Sequence, residues 1–238
     1  MEKTDQFRVY KLAEKIFCVA NKNPYRLAMF FLRYQEFYES NNPDFKGKQF
    51  TIVKYMDWYA NKYGKGLFSY PDDFAGFNIP QTIIKDCIRT VTDLNEYDIQ
   101  MDFLDHHLKC QDIHDGYIIG VPYYIDEKKP NSILKHEFAH GLYRTSPLYR
   151  ASIEHDLLPK VPKKIKKQCA KIFENYMYDS SVHEDEMQAY FSTGILTEMR
   201  KIPGIQDIVA PFQKNFKSFF KDKFMKVNGS DKYHTFNI

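Results

Sequence analysis

The chain has 238 residues, of which 43% are hydrophobic and 16% aromatic, with only 10 Gly and 11 Pro, so it can bury at least one full core. This composition excludes a disordered, collagen-like or disulfide-rich chain. The formal net charge of +3 is too small to indicate a nucleic-acid partner, and no apolar run reaches the roughly 18 residues that a membrane span needs.

The beginning of the chain and its cysteines predict the compartment. The first twelve residues include polar residues and both signs of charge where a secretory signal would have about 7–15 consecutive apolar residues. The four cysteines are scattered, which is typical of buried thiols in a reducing compartment. We therefore expect a cytoplasmic protein; non-classical secretion would leave the same pattern.

Apolar residues in the first half of the chain recur at intervals of three and four, the period of a helix that packs on one side. This pattern predicts helices over residues 4–20, 24–38, 51–63, 81–92 and 96–110. An aromatic stretch with Gly and Pro at residues 66–80 predicts an irregular, partly buried loop. The aromatic stripe of the second helix and the single Trp58 are expected in the core.

One segment of the chain is typical of a strand. Residues 117–124 are β-branched and aromatic, and they lie between Asp115-Gly116 and a charged turn. Pro122 cannot donate a hydrogen bond to a neighbouring strand, which favours an edge position in the sheet.

The second half of the chain is predicted to be helical. Ser132 can cap a helix that runs to residue 144, and Ser181 with Glu184 matches a capping box for a helix to residue 200. The remaining predictions are helices from residue 147, over 162–177 and over 203–224, followed by a loose tail from residue 228.

The motif that carries chemistry is H-E-F-A-H at residues 136–140, inside the predicted helix 132–144. Its two histidines, His136 and His140, project from one helical face, so both imidazoles can reach one metal ion. Glu137 lies about 100° round the helix, where its carboxylate can act as a base without occupying a coordination position. Zn²⁺ is the natural ion for this pattern, and two histidines that are only hydrogen-bonded in a helical core are the alternative.

A catalytic zinc needs a third protein ligand and one open position. The metzincin extension would place Gly three residues and His six residues after His140, but Tyr143 and Ser146 occupy these positions, which excludes that class. Further along, the sequence H-E-D-E-M-Q-A-Y at residues 183–190 puts acidic side chains on the first turns of another helix. Standing alone, such a cluster is typical of a solvated helix start.

With H-E-x-x-H followed by D-E-x-x-A-Y, the chain resembles the gluzincin-type zinc metallopeptidases over residues 117–196, about one third of its length. In these enzymes a glutamate from a following helix completes the site, which implies a zincin-like fold. We choose Glu186 as this ligand, because it shares a face with Ala189, whose small side chain would let the two helices approach closely. Asp185 or Glu184 would then accept a hydrogen bond from a histidine ring.

The resemblance implies hydrolysis of a peptide bond, with Glu137 taking a proton from the attacking water and passing it to the leaving amine. It also implies an oxyanion donor near the third ligand, and the candidates are Tyr178, ranked first, His183 and Tyr190. Peptidases of this type lay the substrate along an edge strand beside the metal. We therefore expect main-chain groups of residues 117–121 to bind an extended peptide, the alternative being a purely structural edge strand.

Three other features are set aside. His106, His107 and Cys110 share a helix, but no further ligands follow at zinc-finger spacing. The lysine-rich run at residues 160–167 is typical of a solvated face, which argues against a nucleic-acid partner. His155 is a rival third ligand that we expect on the surface.

The sequence therefore predicts a mainly helical α+β protein with one zincin-like domain over residues 1–238. Its parts are a helical N-terminal region (1–115), a metal-site region (116–227) and a loose tail (228–238). The predicted function is zinc-dependent hydrolysis of a polypeptide substrate. The alternatives are an inactive metallopeptidase-like binding or regulatory protein, hydrolysis of a non-peptide amide, and a translocated effector protease. Glu137 argues against the inactive protein, because the base is the residue that a dead relative could lose most easily.

Overall fold

Five strands form one mixed sheet at the centre of the fold. They are β1 (Arg8–Ala13), β2 (Ile16–Ala20), β3 (Phe77–Pro80), β4 (Tyr117–Val121) and the two-residue β5 (His234–Thr235). The order across the sheet is β3-β4-β2-β1-β5, in which β2 and β4 are parallel and the other neighbours antiparallel. The computed structural model describes residues 6–89, 91–123, 131–224 and 234–235. The tail predicted from residue 228 lies outside these residues, apart from the backbone of β5.

Ten α-helices in the described residues surround the sheet. They are α1 (Pro24–Glu39), α2 (Ile52–Lys62), α3 (Tyr70–Asp73), α4 (Ile84–Ile88), α5 (Glu96–Cys110), α6 (Ser132–Thr145), α7 (Pro147–Ala151), α8 (Lys163–Asn175), α9 (His183–Thr193) and α10 (Ile205–Lys223). This arrangement confirms the mainly helical α+β class. None of the described helices is long and apolar enough to cross a membrane.

The sheet separates two hydrophobic cores. Side chains that alternate along β2 enter opposite cores, with Ile16 and Cys18 in one and Phe17 and Val19 in the other. The first core joins the sheet to α6, α9 and α10, and the second joins it to α1, α2 and α5. We call these two helical groups the α6 layer and the α1 layer. A sheet that is buried on both faces explains why all five residues of β2 are buried.

Glycine allows a helix of each layer to approach the sheet closely. A Cβ at Gly141 of α6 would press on the side chain of Ile16, and a Cβ at Gly120 of β4 would overlap the ring of Phe31 on α1. Both helices are therefore held at a short distance from the strands, which fixes the height of the H-E-F-A-H segment above the sheet.

The helix predicted over residues 4–20 is wrong, since this segment forms the β1–β2 hairpin. Its apolar residues match a helical period only because strands that are buried on both faces carry apolar side chains at consecutive positions. The N-terminal 115 residues thus supply three strands of the sheet in addition to their helices.

The edge position predicted for the strand at residues 117–124 is also wrong. β4 lies between β3 and β2, and Pro122 follows the strand instead of interrupting it. The main-chain groups of residues 117–121 pair with two neighbouring strands, so they are not open to an extended peptide. The edge strand next to β4 is β3.

Most other helices begin and end close to the predicted residues, with three corrections. The loop expected at 66–80 contains α3 and β3, and the described residues between 81 and 92 form only a 3₁₀ turn and the short helix α4. The helix predicted over 181–200 stops at Thr193, before Gly194 with a φ of 150°.

The predicted helix caps need two corrections. No capping box forms at Ser181, whose hydroxyl donates to Asp179. Asn131, not Ser132, caps α6 through its side chain.

Candidate metal centre

The predicted ligands come from two helices that pack side by side in the α6 layer. His136 and His140 lie one turn apart on α6, and Glu186 lies in the first turn of α9. Ala189, one turn after Glu186, is fully buried, which permits the close approach of the helices expected from the sequence. His140 and Glu186 are buried, whereas the side chain of His136 is 15% exposed.

The three side chains converge with the spacing of metal ligands. The Nε2 atoms of His136 and His140 are 3.2 Å apart, and each lies near a different oxygen of Glu186, at 3.4 and 3.6 Å respectively. Two ligands that are 2.0–2.1 Å from a common tetrahedral ion would be about 3.3 Å apart. Within the described chain, this trio is the group of His, Cys, Asp and Glu side chains that could hold a metal ion.

One carboxylate oxygen of this trio is left without a hydrogen bond in the described part of the chain. Oε2 of Glu186 is buried and has no hydrogen-bond partner among the described residues. A buried carboxylate oxygen without a partner costs about 1–3 kcal/mol or more. A zinc ion would compensate this oxygen and take up the imidazole lone pairs, so the residues fit such an ion.

A chain of hydrogen bonds behind the histidines fixes their orientation. Nδ1 of His140 donates to Oδ1 of Asp185 at 2.8 Å, which leaves the lone pair of Nε2 directed at the site. Gln188 donates to the same carboxylate oxygen at 2.9 Å and accepts from the hydroxyl of Tyr149 at 3.0 Å. The sequence predicted either Asp185 or Glu184 as the acceptor for a histidine ring, and Asp185 has this position. Glu184 is exposed and lies 3.8 Å from Lys166.

The electrostatics of the trio favour positive charge. Burial alone would lower the pKa of His140, but the carboxylates of Asp185 and Glu186 outweigh it and hold that pKa well above its usual range. The same carboxylates would attract a divalent cation to the position that a proton otherwise takes.

Glu137 lies beside the trio and is held by residues of the sheet. Its Oε2 accepts a hydrogen bond of 2.9 Å from the side chain of Asn78 on β3, and Tyr117 donates to the amide oxygen of that Asn78. The backbone at Gly76 packs so closely that a Cβ there would overlap the Glu137 carboxylate. Burial raises the pKa of Glu137, although His136 and His140 oppose the shift. A carboxylate with a raised pKa is suited to accept a proton near neutral pH.

Two of the three candidate oxyanion donors line the same cavity as the trio. The hydroxyls of Tyr178 and Tyr190 are 3.1 Å apart, and the ring of Tyr190 lies 4.4 Å from that of His136. Burial raises the pKa of both tyrosines, so each hydroxyl keeps its proton and can donate. His183 is not among the lining residues, and its Nε2 lies 3.3 Å from the carbonyl oxygen of Tyr178.

The trio lies in a cavity of about 510 Å³ that reaches from one helical layer to the other. The α1 layer contributes Glu36 and Glu39, which lie three residues apart on α1. Burial raises the pKa of Glu36, and burial together with Glu186 holds the pKa of Glu39 well above its usual range. A cavity of this size and polarity is typical of a ligand site.

The outer edge of β3 is covered where it faces α1. The backbone N–H of Asn78 donates to Oε1 of Gln35 at 3.1 Å, and Pro80 has no N–H. Just before β3, residues 74–76 line the cavity next to Glu137. Their main-chain groups are therefore candidates to contact a bound peptide.

The features set aside from the sequence lie away from the cavity. His155 is exposed, and most lysines of the run at 160–167 are exposed as well. His106 and Cys110 are exposed on α5, with 3.6 Å between Nε2 and Sγ, and form no metal-holding trio in the described chain.

Three residues that hold the site in place were not found from the sequence. They are Asn78, Gln35 and Gln188, all of them buried amides. Only the position of Asn78 between two apolar residues, Phe77 and Ile79, gave a signal, since a polar side chain in such a run must find a buried partner.

In comparisons with known proteins, no family model, no curated protein and no solved structure matches this chain.

Proposed function

We propose that the protein is a zinc-dependent peptidase of the gluzincin type, with zinc held by His136, His140 and Glu186. The observation that carries the proposal is the buried Glu186 oxygen, which has no hydrogen-bond partner in the described residues and faces two imidazoles whose Nε2 atoms are 3.2 Å apart. A divalent ion is the ligand whose charge and preferred donors suit this arrangement. The proposal includes a zincin-like fold and a polypeptide substrate.

The chemistry requires a Lewis acid, a base and a hydrogen-bond donor. A zinc ion, when bound, supplies Lewis acidity, which polarises a carbonyl and lowers the pKa of water from about 15.7 towards 7. Glu137, fixed by Asn78, takes the proton of the attacking water and then transfers it to the leaving amine. Tyr178, supported by Tyr190, donates to the oxyanion that develops on the carbonyl oxygen.

The proposal places the substrate along residues 74–76 and not along β4. These residues line the cavity, and Gly76 lies directly against Glu137. We also propose a cytoplasmic location, because all four cysteines are free and three of them are buried.

The test uses the zinc-loaded protein and a peptide library prepared from a whole proteome, with new termini identified by mass spectrometry. We expect cleavage by the native protein and a loss of about 10²–10⁴-fold in Glu137→Gln, because that change removes the base and keeps the shape of the side chain. Zinc content should remain at one equivalent in the variant.

The matched control is Glu184→Gln, since Glu184 is an exposed carboxylate in the same acidic turn and should not affect the rate. Equal cleavage by the native protein and Glu137→Gln would assign the base elsewhere. A zinc-loaded native protein that cleaves nothing in the library would favour an inactive binding protein.

A further inference from the structure

The charged side chains that line the cavity are acidic. No lysine or arginine occurs among the lining residues of the described chain, whereas six carboxylates do: Glu36, Glu39, Asp73, Glu137, Asp179 and Glu186. Lys46, which is not a lining residue, pairs with Asp179, and a bound divalent cation would compensate only part of the remaining charge. The cavity therefore favours a ligand that brings further positive charge.

The two glutamates of α1 have no cationic partner. Glu36 is only 7% exposed, yet neither Glu36 nor Glu39 takes part in an ion pair of the described residues. The neighbours of Glu36 include the hydroxyl groups of Ser40 and Tyr55, and Glu39 accepts from Gln35, so these hydrogen-bond donors are all neutral. Buried carboxylates are rarely found without a positively charged partner.

An aromatic wall from α2 borders these glutamates. Tyr55, Trp58 and Tyr59 line the cavity, with ring centroids 5.4 to 6.3 Å apart. The hydroxyl of Tyr59 donates to Asp73 at 2.8 Å, which adds another oriented carboxylate. Aromatic faces next to carboxylates are the usual surroundings of a bound organic cation.

We propose that this wall of the cavity, formed by α1 and α2, binds a positively charged group of the substrate close to the bond that is hydrolysed. The group is either a basic side chain or a terminal amine, since both have the same charge and hydrogen-bond donors. The inference rests on the proposed function, because the buried Glu186 oxygen is what marks the cavity as a ligand site. Beyond the proposed peptidase function, we infer that the substrates carry a positive charge near the cleaved bond.

Three small hydroxamates test this assignment, because they share one zinc-binding group and differ in whether they carry a cation and in where it lies. They are N-acetyl-L-arginine hydroxamate with a side-chain cation, L-norleucine hydroxamate with a free amine, and N-acetyl-L-norleucine hydroxamate with neither. Calorimetry on the zinc-loaded protein at low salt should show at least one cationic probe binding tenfold or more tightly than the neutral probe. The tighter of the two cationic probes identifies the source of the charge.

The variants Glu36→Gln and Glu39→Gln should reduce this preference below threefold and leave the affinity of the neutral probe unchanged. Glu39 is only half-buried, so its variant keeps the test valid if Glu36→Gln fails to fold. Glu14→Gln, an exposed change in the β1–β2 turn, is the matched control and should keep the full preference.

The outcomes separate the two proposals. Equal binding of all three probes, or a full preference in Glu39→Gln, would overturn the cation site and leave the metal site in place. Binding of none of them to the zinc-loaded protein would overturn the proposed function and this inference together.

Discussion

Two groups of buried charged side chains, one in each helical layer, are satisfied to very different degrees. In the α1 layer, Arg33 is fully buried and donates to both carboxylate oxygens of Asp98, at 3.0 and 2.9 Å, and to the carbonyl oxygens of Phe50 and Asp93. In the α6 layer, two imidazole nitrogens and a carboxylate converge, and one carboxylate oxygen has no hydrogen-bond partner in the described chain.

On this basis we assign the first group to the structure of the fold and propose the second as a ligand site. The Arg33 network joins α1 to α5 with each charge matched, so it needs nothing further to be stable. The trio on α6 and α9 brings together atoms that accept hydrogen bonds, an arrangement that is favourable when a proton or a metal cation lies among them. Four predictions test the contrast.

The largest effect is expected when the proposed metal-binding trio is broken. His136→Ala should abolish the binding of one zinc equivalent, because two remaining ligands cannot hold a catalytic zinc. Metal analysis after dialysis measures the stoichiometry. His155→Ala removes an exposed histidine as a control and should keep one zinc per chain; stoichiometric zinc in His136→Ala would remove the proposed site.

The next largest effect concerns the satisfied network. Arg33→Met should reduce the free energy of unfolding by about 3–5 kcal/mol, because Asp98 is then left buried without its cation. Urea unfolding followed by circular dichroism gives this value. Zinc stoichiometry should not change while the protein is folded.

The control for that change is Lys15→Met, which removes an ion pair between exposed side chains and should leave the unfolding midpoint nearly unchanged. Similar losses in both variants would contradict the distinction between a buried network and a surface pair.

A smaller effect is expected from the support behind the histidine. Asp185→Asn should weaken zinc binding about 10–100-fold, because the ring of His140 loses its charged acceptor while all three ligands remain. Competition with a chelator of known affinity measures the change. Glu184→Gln should bind zinc as tightly as the native protein, and a larger loss in that control would assign the supporting role to Glu184.

The parts of the candidate site on α6 and α9 that could be predicted from the sequence are those that depend on residues close together in the chain. The four-residue spacing of His136 and His140 and the small Ala189 beside Glu186 on α9 are features of single helices. The N-terminal hairpin was missed, because burial on both faces of a strand imitates a helical apolar pattern.

The amides that hold the site were also missed, for a related reason. Asn78 and Gln35 act through partners 59 and 43 residues away in the chain, so no local pattern indicates their role. The prediction of an edge position for the strand at residues 117–124 was wrong for the same reason. The neighbours of a strand in a sheet are set by the whole topology and not by a single proline.

The smallest effect concerns the segment that joins the two layers beside the cavity. Lys46 contacts Asp179 at 2.6 Å, and although burial opposes it, this lysine together with Ser181 lowers the pKa of Asp179 to about 2. A carboxyl group with a lowered pKa stabilises the folded state above its ordinary pKa and loses that contribution as the pH falls from about 4 to 2.

Asp179→Asn should therefore lower the free energy of unfolding by at most about 1 kcal/mol at pH 6. The difference from the native protein should shrink below pH 4. Urea midpoints over this range provide the measurement, and a difference that grows towards low pH would contradict the charge pairing.

The most direct test of the central claim is an anomalous difference map, recorded at the zinc absorption edge from crystals grown with zinc. We expect one strong peak about 2.0–2.2 Å from Nε2 of His136, Nε2 of His140 and a carboxylate oxygen of Glu186. A map without density between these three side chains, or a zinc ion held by other residues, would contradict the claim that the trio forms a metal centre.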